Sequence, residues 1–387
     1  MGIDGLTKLI REKHPELYHY VQLREFAFQK IPWDVSSWIY QFLYRQGQEG
    51  NSWLQPFIQL IILFRKNAVN VIPIFDGKAP PEKDEEHADR SERKDANDER
   101  CLNVRIELQR YKTSGICNKI LIDFMKRLKS SEEKKDPETK RVSLLRPRKS
   151  QTAQSPDSEP EDIQIDVEAI EADLDQKERN LFRITPENLS LLKELFNIFK
   201  IPHFQAKDEA ETLACYMTRS HLTDAVFSLD SDCLTHLAPV IITDINYISG
   251  QCRVLYLEEV LNTLQLSPSR FQMFCILSSC DYNRKSKNLV SVGPVTALKL
   301  AQEFPDFESL FRSGRLKLKK PTESDGLRSS RCMELFNMSY PEITNVPVWD
   351  LRIDPEEIFA WLSKHDLACD VEQIKWLWRP PVVVFDD

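Results

Sequence analysis

Paired cysteines and long apolar runs are both missing from this sequence of 387 residues. The nine cysteines form no C-x-x-C pair and follow no regular spacing, so neither a zinc ribbon nor a disulfide framework is expected. Scattered cysteines of this kind are typical of a reducing intracellular compartment. The longest apolar run, FIQLIILF, is too short to span a bilayer, and the charged start MGIDGLTKLIREKH is not a secretion signal. We therefore expect a soluble protein with no membrane partner.

An excess of basic charge is missing as well. The formal net charge is −8, which at first argues against a nucleic-acid partner because phosphate binding needs a basic surface. The acid is concentrated in one place, since the stretch from Asp157 to Glu178 holds ten carboxylates and only one basic residue, Lys177. The rest of the chain is close to neutral and carries basic clusters, so the net charge does not exclude a nucleic-acid partner.

Helical and strand-like patterns alternate over residues 1–76, which predicts the βαβ units of a parallel sheet. Charged residues dominate positions 77–129 and indicate exposed helices. Positions 130–180 are polar and contain Ser and Pro, so a disordered or loosely ordered insertion is expected there. A helical pattern resumes after Thr185, followed by two strands, AVFSL and PVIITDI, and a mainly helical remainder.

Carboxylates stand at the ends of the predicted core elements. The stretch AVFSLDSDCL runs from an apolar strand into Asp230 and Asp232, which would point to the same side if the strand continued through them. Five further acids end or open other elements, namely Asp34, Asp76, Glu209, Glu211 and Asp281. Because strand C-termini share the ligand-binding edge of an open α/β sheet, the repulsion among these charges calls for a cation.

Each acid alone has an ordinary structural explanation, since an aspartate after a strand often forms a turn and a glutamate favours a helix N-terminus. The seven together predict a metal site. A carboxylate cluster without His or Cys favours Mg²⁺ or Mn²⁺ over zinc, and two such ions can serve phosphodiester hydrolysis. Storage of Ca²⁺ is the weaker alternative, because no EF-hand loop is present.

Several motifs follow one another in a defined order: MGIDGLTKLI, WDVSSWIYQFL, VIPIFDGKAPPEK, DEAETLACY, SLDSDCL, and ILSSCDY with VGPVTALKL. In this order they resemble the flap endonuclease/XPG family of structure-specific 5′-nucleases, over residues 1 to about 110 and 180 to 310. The resemblance implies an α/β fold with a PIN-like nuclease core, whose mostly parallel central sheet is flanked by helices. It also implies a helical arch and a C-terminal helix-hairpin-helix-like region.

The resemblance divides the chain into four segments. These are an N-terminal nuclease region with the arch at 1–110, a polar and acidic insertion, disordered in part, at 111–180, an internal nuclease region with the helix-hairpin-helix-like segment at 181–310, and a C-terminal helical extension at 311–387.

Two metal ions are implied by the same family pattern. The first Mg²⁺ would be held by Asp34, Asp76, Glu209 and Glu211, and the second by Asp230, Asp232 and Asp281, with Mn²⁺ as a substitute. Lys83 and Arg90 would be the catalytic basic residues at the base of the arch, near the scissile phosphate. They are seven apart, so one helix could present both on one face, although a solvated charged helix has the same pattern.

Contacts with DNA are implied at three further positions. Tyr40 would stack on a base of the unpaired strand, Gly2 would lie near the active site, and Gly293 belongs to a turn whose backbone amides would meet duplex phosphates. The sequence departs from the family at Ser279, Ser291 and Lys200, where the family usually has glycine.

These patterns predict a Mg²⁺-dependent 5′-flap-type DNA endonuclease of replication and repair, acting as a monomer on branched or flapped DNA. The alternatives are a Holliday-junction resolvase, an RNA-cutting relative, and a catalytically idle nucleic-acid-binding scaffold. No sliding-clamp motif is found in the sequence. The short basic run KRVSLLRPRK indicates the nucleus. The small size would also suit a large DNA virus, whose copy would work in the host nucleus or cytoplasm.

Overall fold

The computed structural model describes residues 3, 5–46, 50–133, 165–179, 183–283, 292–316, 327–350 and 352–378. Gly2, Ser291, the basic run at 140–149 and residues 157–164 of the acidic stretch lie outside these ranges. The chain forms two compact units, one made of Met1–Ala88 with Ile184–Asp387 and the other of Asp89–Arg183. The division into four segments stays a prediction. Among the helices described, none combines the length and apolar character that a membrane crossing needs.

A seven-stranded sheet is the centre of the first unit. Its strands are β1 His19–Gln22, β2 Lys30–Asp34, β3 Asn70–Phe75, β4 Phe204–Gln205, β5 Val226–Phe227, β6 Val240–Ile245 and β7 Gln251–Tyr256, in the spatial order β1-β7-β6-β5-β2-β3-β4. The run from β6 to β4 is parallel, whereas β7 is antiparallel to β6 and to β1. The predicted mostly parallel central sheet is therefore confirmed.

Helices flank this sheet and complete both units. In chain order they are α1 Leu6–Lys13, α2 Val35–Gln46, α3 Gln55–Lys66, α4 Asp84–Ser114, α5 Lys119–Glu133, α6 Val167–Arg179, α7 Pro186–Ile198, α8 Ala210–Arg219, α9 Asp232–Thr235, α10 Leu257–Leu264, α11 Pro268–Ser278, α12 Pro294–Glu303, α13 Phe307–Arg312, α14 Ser329–Phe336, α15 Pro355–Lys364 and α16 Val371–Leu377. The connection between α11 and α12 contains residues 284–291, which are outside the described ranges. The helix-hairpin-helix-like segment therefore stays a prediction.

Aromatic packing fixes the strand that carries the first predicted acid. The ring of Trp33, on β2, is fully buried and lies 5.4 Å from Phe57 of α3 and 5.7 Å from Phe227 of β5, between ring centroids. Trp38 of α2 contacts Phe227 in turn, at 4.7 Å. Each such pair adds about 1 kcal/mol beyond the burial of its area. Asp34, the next residue after Trp33, therefore stands at the end of a firmly packed strand.

The second unit is a helical bundle that the sequence patterns did not predict in full. Phe124 of α5 packs with Ile170 and Leu174 of α6 in its core, and Arg105 of α4 forms ion pairs with two acids of α6, at 2.8 Å to Asp175. The expectation of a loosely ordered insertion is therefore wrong for residues 165–179. Two apolar residues four apart give the acidic segment a buried stripe, and the basic residues of α4 offset its charge.

Candidate metal centre

All seven predicted acids belong to the first unit and stand where core elements end or begin. Asp34 ends β2, Asp76 directly follows β3, and Asp230 and Asp232 follow β5. Glu209 is the N-cap of α8, and Glu211 lies in the first turn of that helix. Asp281 does not close a helix as expected, because α11 ends at Ser278 and Ser279 takes a positive φ. It stands in the turn that follows.

The carboxylate of Asp34 is buried and oriented by two donors. The backbone N–H of Ser36 donates to Oδ1 at 3.1 Å, and the hydroxyl of Ser228 donates to Oδ2 at 2.9 Å. Burial, together with the nearby charges of Asp76 and Asp230, raises the pKa of Asp34 to about 7, against the lowering effect of the Ser228 hydrogen bond. The group is thus poised to lose its proton near neutral pH when a cation supplies positive charge.

Asp230 and Asp232 are brought together by a turn, because β5 already ends at Phe227. The Asp230 N–H donates to the Ser228 hydroxyl at 3.1 Å, and the Asp232 N–H donates to Asp230 Oδ1 at 3.0 Å. The two carboxylates therefore lie close together, as expected. A turn brings them together, so the expectation that the strand continues through them is wrong. Burial and the charge of Asp230 hold the pKa of Asp232 well above its usual range.

Asp76 and Glu209 are joined by a close approach of two chain segments. The N–H of Gly77 donates to the Asp208 carbonyl at 2.6 Å, and the N–H of Lys78 donates to the Lys207 carbonyl at 3.0 Å. Asp76 Oδ1 also accepts from the N–H of Ala210, the first residue of α8, at 2.8 Å. The two acids are thus held in register although they are far apart in sequence.

Lys83 lies among three of the acids. Its side chain is only 5% exposed, and its ammonium pairs with Glu209, with Glu211 Oε1 at 3.5 Å and with Asp281 Oδ2 at 3.7 Å. Burial alone would lower its pKa, but the carboxylates, Glu211 and Glu209 foremost, hold the pKa of Lys83 well above its usual value. Lys83 is therefore a fixed positive charge of the centre.

The expectation that one α-helix carries both basic residues needs a correction. Lys83 ends the short 3-10 turn Pro81–Lys83, and α4 begins at the next residue. Proline at the start of that turn fixes φ, and 3-10 turns are frequent at the N-termini of α-helices. Arg90 lies on α4 within the second unit, and its predicted role stays a prediction.

Two hydroxyl groups of the centre were not predicted from the sequence. Ser228 bridges Asp34 and the backbone of Asp230, and the Tyr282 hydroxyl donates to Glu209 Oε2 at 2.7 Å. The only signal available for either was its position, Ser228 two residues before Asp230 and Tyr282 directly after Asp281. Such positions do not by themselves indicate a contact with an acid from another segment.

The predicted DNA contacts stay predictions. Tyr40 lies on α2 and is 40% exposed, as a stacking residue would need to be. Gly293 is the N-cap of α12, with a φ of −69° and open space around its Cα, so the backbone there does not itself require glycine.

The donor set fits an oxygen-preferring divalent cation. Glu211, Asp230 and Asp232 each offer a carboxylate oxygen, and these three oxygens lie within 4.8 Å of one another. Glu211 Oε1 and Asp232 Oδ1 are buried and accept no hydrogen bond from the described part of the chain. Burying a carboxylate oxygen without a hydrogen-bond donor is costly, although Glu211 Oε1 keeps its ion pair with Lys83 at 3.5 Å. Because the donors are all carboxylates, Mg²⁺ or Mn²⁺ suits them better than zinc.

Comparison with known proteins places these residues in named domains. The XPG N-terminal domain matches residues 1–97, and the XPG I-region matches residues 200–281. The first span contains Asp34, Asp76 and Lys83, and the second contains the remaining five acids. The two matched domains thus hold every residue of the centre described above except Tyr282.

Relatives and solved structures agree with these matches. A probable RAD2-like endonuclease, 076L of Invertebrate iridescent virus 3, is 26% identical over 328 residues, which cover 80% of this chain and 81% of the relative. Flap endonuclease 1 of Drosophila grimshawi is 24% identical over 371 residues, or 92% of this chain and 78% of the relative. The catalytic core of Rad2 in complex with a DNA substrate has the same fold, with a TM-score of 0.58 at 17% identity, covering 95% of this chain and 98% of that one. The chain therefore carries the XPG N-terminal domain and the XPG I-region, and it is similar over most of its length to RAD2-like and flap endonucleases.

Proposed function

We propose that this chain is a Mg²⁺-dependent, structure-specific DNA endonuclease of the 5′-flap type. It would hydrolyse a phosphodiester near a junction between single-stranded and duplex DNA. The observation that carries the proposal is the triad of Glu211, Asp230 and Asp232, whose oxygens lie within 4.8 Å of one another and next to the ammonium of Lys83. The relatives named as endonucleases, and the Rad2 core bound to a DNA substrate, support the same class of reaction. A role in replication or repair, in the nucleus and as a monomer, belongs to the same proposal.

The residues of the centre divide into three roles. Seven carboxylates hold two cations, the first at Asp34, Asp76, Glu209 and Glu211 and the second at Asp230, Asp232 and Asp281. When bound, two divalent cations supply an activated water and stabilise the leaving oxygen in phosphodiester hydrolysis. Lys83 and Arg90 counter the charge of the scissile phosphate, and Tyr40 stacks on a base of the unpaired strand.

Cleavage assays with different nucleic acids test this proposal. Purified protein would be incubated with labelled 5′-flap, bubble, four-way-junction and RNA substrates, each with Mg²⁺ or with EDTA. We expect cleavage of the flap with Mg²⁺ and none with EDTA. Preference for the four-way junction would indicate a junction resolvase, and preference for RNA an RNA-cutting enzyme. Absence of metal-dependent cleavage of every substrate would contradict the proposal and favour a nucleic-acid-binding scaffold.

Asp232→Asn tests the triad itself. The variant keeps the size of the side chain but removes the charge, and we expect cleavage to fall about a thousandfold, because several kcal/mol of metal-dependent stabilisation are lost. Affinity for the flap substrate should be largely retained. The matched control is Asp244→Asn, since the Asp244 side chain, on β6, is about half exposed and lies outside the centre, and the variant should keep full activity. Retained cleavage by Asp232→Asn would exclude Asp232 as a ligand.

A further inference from the structure

Tyr282 contacts an acid and a base of the metal centre at the same time. Its hydroxyl donates to Glu209 Oε2 at 2.7 Å. The face of its ring carries the ammonium of Lys83, with Nζ 5.1 Å from the ring centroid. The side chain is 2% exposed, so water does not compete for either contact.

These contacts fix the orientation of Glu209. One carboxylate oxygen accepts from Lys83 and the other accepts from Tyr282. A carboxylate held at both oxygens has little freedom to rotate. Side chains that hold a metal ligand in this way set its direction and basicity, and their loss typically weakens metal binding or activity by about 10- to 100-fold.

The chain around Tyr282 leaves the ring little room to move. Its ring packs against Phe336 of α14, with centroids 5.2 Å apart. The side chain of Asn283 accepts from the N–H of Cys280 at 2.8 Å and donates to the Ile276 carbonyl at 2.9 Å, which closes the turn after α11. The phenol is thus delivered to Glu209 by a buried, hydrogen-bonded turn.

We propose that Tyr282 is a positioning residue of the nuclease centre. It holds the carboxylate of Glu209 and the ammonium of Lys83 as one unit, and so sets the direction from which Glu209 meets a divalent cation and Lys83 meets a phosphate. The inference rests on the proposed function, which supplies the cation and the phosphate. Tyr282 is thus a neutral residue of the centre that would itself bind neither the cation nor the phosphate.

Binding of Mn²⁺ to the full chain without DNA tests the hydroxyl. Tyr282→Phe removes only that group, and we expect the Mn²⁺ dissociation constant, measured from the free-ion signal in electron paramagnetic resonance, to rise about tenfold. Tyr340→Phe is the matched control. Tyr340 is also buried, and its hydroxyl donates at 3.3 Å to Asp208, which precedes Glu209 but is not one of the seven acids. This control should stay within about twofold of the wild type, since no metal ligand loses a donor.

The ring is tested separately by Tyr282→Leu. Because leucine offers no aromatic face for the ammonium, kcat at saturating Mg²⁺ should fall further in this variant than in Tyr282→Phe, while KM for DNA changes little. Thermal unfolding of each variant shows whether the fold is kept. If leucine unfolds the chain, the Mn²⁺ comparison of the two phenylalanine variants alone decides the inference.

The outcomes separate this inference from the proposed function. Unchanged Mn²⁺ affinity in Tyr282→Phe, or equal weakening in Tyr340→Phe, would contradict the positioning role. A wild-type chain that takes up no Mn²⁺ would contradict the proposed function and the inference with it. If the wild type binds Mn²⁺ but cleaves no substrate, only the proposed function fails. The Mn²⁺ affinities of Tyr282→Phe and Tyr340→Phe then still decide whether Tyr282 positions Glu209.

Discussion

His236 stands at the C-terminus of α9, four residues after Asp232, and is 1% exposed. Its Nδ1 lies 3.3 Å from the Phe336 carbonyl, whereas Nε2 has no hydrogen-bond partner among the residues that the structure describes. Burial lowers the pKa of His236 to about 3, and the positive charges of Lys83 and Arg219 act in the same direction. The folded chain therefore keeps this ring neutral at a pH where the unfolded chain protonates it.

The stability of the fold should depend on pH through this group. Because the folded pKa is depressed, the contribution of His236 is complete above about pH 6.5 and is lost as the pH falls toward 3. Between pH 7 and pH 5 the loss amounts to about 2 kcal/mol of unfolding free energy. Because the raised pKa of Asp34 acts in the opposite direction in both proteins, the test is the difference between them: in urea unfolding, the change from pH 7 to pH 5 should be about 2 kcal/mol more unfavourable in the wild type than in His236→Phe. The control His221→Asn, at an exposed position, should keep the wild-type dependence. Equal dependence in His236→Phe would refute the assignment.

At the scale of single residues, the acids could be found from the sequence and their hydroxyl partners could not. Asp34 and Asp230 were recognisable because each follows a short apolar segment, and the shared edge of a parallel sheet is a general property. Ser228 is 194 residues from Asp34, and Tyr282 is 73 residues from Glu209. Contacts between residues so far apart in the chain depend on tertiary packing, which no local sequence pattern predicts.

Among the elements that end with a non-glycine residue in a backbone conformation favouring glycine are α7 and α11. After α7, Lys200 has a φ of 52°, and after α11, Ser279 has a φ of 84° with a ψ of 119°. Both are positions at which the family usually has glycine, so each departure leaves a side chain where its Cβ is strained. The Ser279 position also begins the turn that delivers Asp281.

Glycine at either position should stabilise the fold. We expect Lys200→Gly and Ser279→Gly each to raise the unfolding free energy by about 1 kcal/mol, because the strain relieved exceeds the entropy that glycine costs. The control is Lys364→Gly, at the last residue of α15, where helical backbone makes glycine unfavourable by up to about 1 kcal/mol. Thermal unfolding of the three variants gives the comparison. A lower melting temperature for Ser279→Gly would show that its conformation carries no strain.

Elements with a strong periodic pattern were predictable, and short or edge elements were not. The predicted strand PVIITDI contains β6, and the helical pattern that resumes after Thr185 coincides with α7. By contrast, β1 and β4 are edge strands of four and two residues, and β7 lies in the part of the chain that the sequence pattern predicts to be mainly helical. These strands are defined by partners elsewhere in the chain, and short segments carry too little periodicity to show it.

For the molecule as a whole, the contact at Gly77 joins the two halves of the nuclease core. A Cβ at this position would overlap the backbone carbonyl oxygens of Ala206 and Lys207. We therefore expect Gly77→Ala to lower the unfolding free energy by about 1–3 kcal/mol and to weaken Mn²⁺ binding, since the displaced segment leads into Glu209. Gly293→Ala, at a glycine with open space around it, should leave stability nearly unchanged. Denaturant unfolding and Mn²⁺ titration measure both effects, and an unaffected Gly77→Ala would mean that the two segments can separate freely.

The same contact bears on how such a chain can change over evolutionary time. The polypeptide leaves the first unit after Ala88 and re-enters it at Ile184, yet Asp76 and Glu209 are clamped together by backbone hydrogen bonds on the core side of that excursion. Lengthening a loop whose ends are already fixed costs little, about 0.6 kcal/mol for each doubling. Insertions in the part of this excursion beyond Arg90 should therefore cost the fold little, whereas the stretch that carries Lys83 and Arg90 has to be kept. The length of the second unit can therefore change while the contact between Asp76 and Glu209 is kept.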